Sequence, residues 1–157
     1  MSAVMDKADQ GKGHIAAQIA RDTATGKSSE YFTLLSGKMC WDAVIECQVL
    51  AGIKRPHSIT THSHDHVISL TDDKAVCSAT DMLGVPQGAS IGFFRDGTLM
   101  HFMICVGAGM AAGNKNACIG IGSPVGWEIL QLAKDLQWNS DGFEHQETQY
   151  KVRYRAI

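Results

Sequence analysis

Apolar residues recur every three or four positions in the first third of the chain and at alternating positions in the last half. The first spacing predicts helices and the second strands. Residues 14–24 form a short amphipathic stretch with Ile15 and Ile19 on one face, closed by Gly26 and two serines. Tyr31 to Leu35 read as an apolar approach to a loop ending in Ser36 and Gly37. From Met39 to Leu50, Trp41, Val44, Ile45, Gln48 and Val49 fall on one helical stripe. Gly52 suits the position after a helix C-terminus, and Pro56 prevents continuation. Val67 to Leu70 suggests a short strand, residues 71–74 a turn, and residues 75–83 fit either a short helix or a loop.

The second half is punctuated by turns. Ser90 to Phe94 reads as a strand, and Asp96-Gly97 is a favoured hairpin pair before Leu99 to Val106, the strongest strand in the sequence. Residues 107–113 are glycine-rich and read as a flexible connection; Ala117 to Ile121 reads as the next strand. Ser123-Pro124 has the form of an N-cap followed by proline at the first helical position. A helix is expected from there to about Trp138, with Trp127, Leu130, Ala133 and Leu136 inward. Thr148 to Tyr154 alternates, with Tyr150, Val152 and Tyr154 on one face. Helices first and clustered strands later predict one α+β domain over residues 14–157, preceded by a flexible N-terminus at 1–13.

Composition narrows the function classes. With 157 residues, 45% hydrophobic and 19% charged, the chain can bury a real core. A net charge of −2 offers no electrostatic footprint for nucleic acid or an anionic membrane, so neither is expected as a partner. There is no membrane-spanning apolar run and no signal-peptide pattern, which leads to an expected cytoplasmic location, or secretion without a cleaved signal. The five cysteines are odd in number and lack C-x-x-C spacing, against both a disulfide framework and a cysteine zinc site. The glycine-rich stretch has no G-x-x-x-x-G-K-[ST] pattern, and no cofactor is expected.

The chemistry centres on Cys40. A thiol in the first turn of a helix lies near outward-pointing N–H groups and the positive end of the helix dipole, which can lower its pKa to about 3.5–7.5. A nucleophilic thiol needs an imidazole to take the proton and a third group to orient that ring. His101 sits near the start of the strong strand. If residues 99–106 and 116–121 pair around a tight turn at Ala108-Gly109, Asn116 stands opposite His101 on the same face. Asn114 takes the role if the register slips. Cys47, Cys105 and Cys118 read as packing residues, and Met100, Met103 and Met110 as core or site lining.

This order of residues resembles the papain-like superfamily of cysteine hydrolases. Cys40-Trp41 is similar to that family's nucleophile followed by an aromatic residue, which places Trp41 at the site. Gln87 to Phe94, leading into the His101 strand, is similar to the NlpC-type cell-wall peptidases. The resemblance covers residues 34–121. It implies a papain-like fold, with the cysteine at a helix start packed on a small antiparallel sheet. It also implies hydrolysis of a peptide, isopeptide or side-chain amide bond through a Cys40-His101-Asn116 triad and a thioester. The substrate would be a peptide, a protein or peptidoglycan. A toxin or effector domain is compatible with the chain's length, and would be paired with an inhibitor or immunity protein. The glutamine that papain uses as oxyanion donor has no counterpart, since that position is Leu34; the hole is left to the Cys40 N–H and to Ser36 or another loop group.

Two rivals use other features. A cysteine acyltransferase or transglutaminase-like enzyme would employ the same residues with an amine acceptor. A non-enzymatic metal-binding module would be organised by His62, His64 and His66, which fall on one face of an extended segment and resemble part of a metallo-β-lactamase-type loop.

Overall fold

The computed structural model describes residues 12–53, 71 and 73–156. Helices come first: α1 (Lys12–Ala24), α2 (Ser29–Ser36) and α3 (Cys40–Leu50). They are followed by β1 (Lys74–Val76), α4 (Ala79–Leu83), β2 (Ser90–Arg95), β3 (Thr98–Gly107) and β4 (Met110–Asn114). A 3₁₀ turn at Asn116–Cys118 leads to β5 (Trp127–Leu130), α5 (Leu132–Asp135), β6 (Gln137–Asn139), β7 (Gly142–His145) and β8 (Thr148–Arg155). The protein is thus α+β, with an antiparallel sheet ordered β5-β4-β3-β2-β8-β7-β6, and β1 also on β8.

The sheet separates two cores. On one side α1 and α3 pack with Phe94, Leu99, Phe102, Ile104, Val106, Ala112 and Trp127. On the other, Ile91, Phe93, Met103, Cys105, Ala111, Phe143, Tyr150 and Val152 pack together. Strand alternation produces this division: Phe102, Ile104 and Val106 face the helices, whereas Met103 and Cys105 face away. A bulge opposite Phe93/Phe94 leaves Met100 as an extra residue and turns Leu99 to the helix side. α3 is locked to β2 by Gln48, whose buried amide donates to the Gly88 carbonyl at 3.1 Å and the Ser90 hydroxyl at 2.8 Å. The one polar residue of the α3 stripe is therefore satisfied inside the core.

Several sequence expectations are corrected. Ser28 caps a helix by accepting from the Tyr31 N–H, so residues 31–35 belong to α2, and Ser36 is its last residue instead of a loop residue. Residues 107–113 are no flexible connection but a tight turn into β4. The strand expected at 117–121 is a 3₁₀ turn and a bend. The helix expected from Pro124 to Trp138 is β5, α5 and the start of β6. Trp127 and Leu130 suggested one helical face, but they are the two ends of a strand and enter opposite cores. Gly120, Gly122 and Gly126 all have positive φ and hold the preceding segment in turns that a helix cannot contain. The tail is β8 as expected, with Tyr150 and Val152 buried. Residues 1–11 of the N-terminus and the segment 67–70 lie outside the described residues.

Candidate functional site

His101 lies on β3 facing away from the helices, directly opposite Phe93 and with its ring 5.8 Å from the Phe93 ring, centroid to centroid. It is fully buried. Its Nε2 is 2.9 Å from Asn116 Oδ1. The Asn116 amide is oriented by its own Nδ2, which donates to the Gly113 carbonyl at 3.2 Å. With Oδ1 facing the ring, Nε2 carries the proton and Nδ1 the lone pair. That Nδ1 is buried and has no hydrogen-bond partner. Burial outweighs the Asn116 bond and pushes the His101 pKa down to about 4, so the ring is neutral near neutral pH.

Asn116 meets His101 by a route other than strand pairing. The turn does fall at Ala108-Gly109, but the register shifts between Cys105 and Gly107, and β4 ends at Asn114. Lys115 then adopts a left-handed conformation, φ 53° and ψ 43°, that starts the 3₁₀ turn carrying Asn116. Asn114 is not a partner of the histidine. Its Nδ2 donates to two carbonyls of the segment before the cysteine, Leu35 at 2.8 Å and Lys38 at 2.7 Å. The Lys115 ammonium also donates to the Lys38 carbonyl. Three consecutive residues therefore hold both the imidazole and the approach to Cys40.

Cys40 is the first residue of α3, after Met39 in an extended conformation. It is buried in the helix-side core that also contains Phe102. β3 pairs with β4 only from Ile104 onward, so the Phe102 N–H is left out of that ladder; it and the Trp41 N–H lie on the side of Cys40 and favour its anion. The expectation of a depressed thiol pKa is overturned. Burial dominates and raises Cys40 from 9.0 to about 11, although the two N–H groups and the Lys115 charge oppose it. An apolar core costs the thiolate more solvation than two amides and a helix end return. Cys40 and His101 approach β3 from its two faces, and no hydrogen bond joins Nδ1 to the sulfur.

The remaining candidates have other roles. Ser36 Oγ donates back to the Phe32 carbonyl at 2.5 Å, which occupies the hydroxyl's proton. Trp41 is half-buried, and its indole Nε1 is a buried donor without an acceptor. Cys47 and Cys105 are buried packing residues as expected, but Cys118 is exposed. His62, His64 and His66 lie outside the described residues. Among the described residues, no group of three His, Cys, Asp or Glu side chains could hold a metal, and no helix is long and apolar enough to cross a membrane. Lys115, which no motif in the sequence marks out, is joined to the segment before Cys40 through the Lys38 carbonyl.

No family model matches the chain, and no curated protein matches it.

Proposed function

We propose that the protein is a cysteine hydrolase of amide bonds, papain-like in its arrangement of residues, with Cys40 as nucleophile, His101 as general base and Asn116 orienting the ring. One observation carries the reading: a neutral, buried imidazole has its N–H fixed on Asn116 and its free lone pair at Nδ1. A ring whose only task was packing would be costly there, because an unpaired buried nitrogen forfeits its hydration. The Cys40 thiol is influenced by the N–H of Phe102, the residue next to His101 on the same strand.

In the reaction, the Cys40 proton reaches His101 Nδ1 through a bridging water, since the two groups are not in direct contact, as the sulfur attacks the carbonyl carbon of the amide. The carbon–nitrogen bond breaks when the tetrahedral oxyanion collapses, and His101 returns the proton to the leaving amine. Water then attacks the thioester, giving its proton to Nδ1, and collapse restores the thiol and releases a carboxylic acid. Because both groups are neutral at rest, the thiol is activated by proton transfer during attack and not by a standing ion pair. The Cys40 N–H opens α3 and, with the Trp41 indole, is a donor for the oxyanion. Substrates are a peptide, a protein side-chain amide or a peptidoglycan stem peptide, as for a toxin or effector domain countered by an inhibitor or immunity protein.

The test is turnover of these three substrate classes by wild-type, Cys40→Ala and His101→Ala proteins, followed by mass spectrometry. Each substitution should cost at least about 10³-fold in kcat, since residues acting as one unit are not additive. Full activity in Cys40→Ala would end the proposal.

A further inference from the structure

The environment of Cys40 holds one cation that the triad does not use. Lys115 sits at the end of β4, half-buried, and its ammonium donates to the Lys38 carbonyl. Lys38 precedes Cys40 by two residues, a span of at most about 7 Å of chain. The same carbonyl also accepts from Asn114, so the ammonium is anchored at a fixed point. Lys38's own charge is directed elsewhere, 3.6 Å from Glu46. Lys115 has no carboxylate partner among the described residues. Its backbone is also left-handed, a conformation that costs a non-glycine residue about 1–2 kcal/mol.

We infer that Lys115 is the counter-charge of the Cys40 thiolate, anchored beside the nucleophile by the Lys38 carbonyl. The inference rests on Cys40 being the nucleophile of the proposed hydrolase. A fixed positive charge there favours the thiolate that forms as the proton leaves during attack. Lys115 acts through Cys40 and is a positioning residue. Besides Lys115, the ionisable group among the described residues that acts on Cys40 is Cys118 on the 3₁₀ turn; Lys38 and Asp42 are its neighbours along the chain. Of these, Cys118 opposes a thiolate and raises Cys40, whereas Lys115 lowers it.

Alkylation of Cys40 by iodoacetamide tests this without substrate and without His101 acting as base. The rate is read by mass spectrometry of the Cys40 peptide between pH 7.5 and 9.5 (roughly one unit either side of a free thiol's pKa). Lys115→Met should slow Cys40 alkylation about fivefold to tenfold at each pH, the size expected for one charge at this range and a surface-like dielectric. Lys115→Arg should return it to within about twofold of wild type. Lys115→Gly removes the charge while relieving the backbone, so it should be as slow as Lys115→Met and folds even where the latter does not. Faster alkylation in Lys115→Met would mean that the lysine merely clamps the loop shut. That result, an unchanged rate, or an Arg variant as slow as Met would overturn the inference. Because alkylation is independent of turnover, failure here leaves the Cys40→Ala test of the hydrolase reading intact.

Discussion

The two sides of the candidate site are built to different degrees. On the His101 side every polar group but one is paired: Nε2 on Asn116, the Asn116 amide on Gly113, the ring against Phe93. On the Cys40 side the sulfur rests on backbone amides within an apolar core, and its acidity is suppressed. The imidazole is oriented and neutral, and the thiol is held in its protonated form. This contrast teaches that a helix N-terminus alone does not make a reactive thiol. Desolvation is the larger effect when the sulfur is sunk among Phe102, Ala43 and Val44.

The contrast is broken most severely through pH. His101 has its folded pKa lowered from 6.5 to about 4, so as pH falls below 6.5 the unfolded chain takes up a proton that the folded protein refuses. Stability is therefore lost between pH 6.5 and about 4, by on the order of 3 kcal/mol, and levels off below. On the other side, Cys40 and Cys105 are raised to about 11 and Cys47 is raised further. Their stabilisation is present below the unfolded thiol pKa of 9.0 and is lost as pH rises towards 11. Urea melts across pH should show both limbs, and His101→Gln should flatten only the acid one. An acid limb that persists in His101→Gln would show that another group carries it.

A smaller effect sharpens the pairing of His101 with Asn116. Asn116→Ala leaves Nε2–H buried and unpaired and should cost about 1–3 kcal/mol. Asn116→Asp puts a carboxylate beside the ring and should raise the His101 pKa, moving the acid limb of the melt upward. An imidazole NMR titration would read this directly; no shift in Asn116→Asp would mean that the pair is not made in solution. Least of all should follow from Ser36→Ala. Its hydroxyl only back-bonds to Phe32, so stability should stay within about 0.5 kcal/mol and turnover should be unchanged. A large loss of turnover would return Ser36 to the oxyanion site.

What was legible in the sequence follows from how much each segment is governed by local rules. α3 could be read because its apolar spacing, Gly52 and length agree. The β2–β3 hairpin could be read because Asp96-Gly97 specifies its turn. β4 could not, because Met-Ala-Ala-Gly-Asn has little strand propensity. Its small residues are there because neighbours leave no room: a Cβ on Gly113 would come within 3.1 Å of the Met103 side chain. His101 and Asn116 do meet, but across a left-handed lysine and a 3₁₀ turn in place of a continuous strand. The charge state of Cys40 was misjudged, because burial depends on residues distant in sequence such as Phe102. Lys115 was missed for the same reason, since its partner is 77 residues away.

The sheet's connectivity also bears on the order in which the site is made. β8 is inserted between β2 on one side and β1 with β7 on the other, so residues 90–94 must find residues 151–155. The β3–β4 hairpin closes around a turn of a few residues, and His101 and Asn116 are only 15 positions apart. Loop closure favours the near pair entropically, and non-local strand pairing sets the slow step. The imidazole is thus oriented on a local hairpin before the middle of the sheet is complete. Phe93, whose ring faces the imidazole, pairs with Val152 of β8, so the surroundings that suppress its charge should be completed late and acid should slow the last stage of folding more than the first.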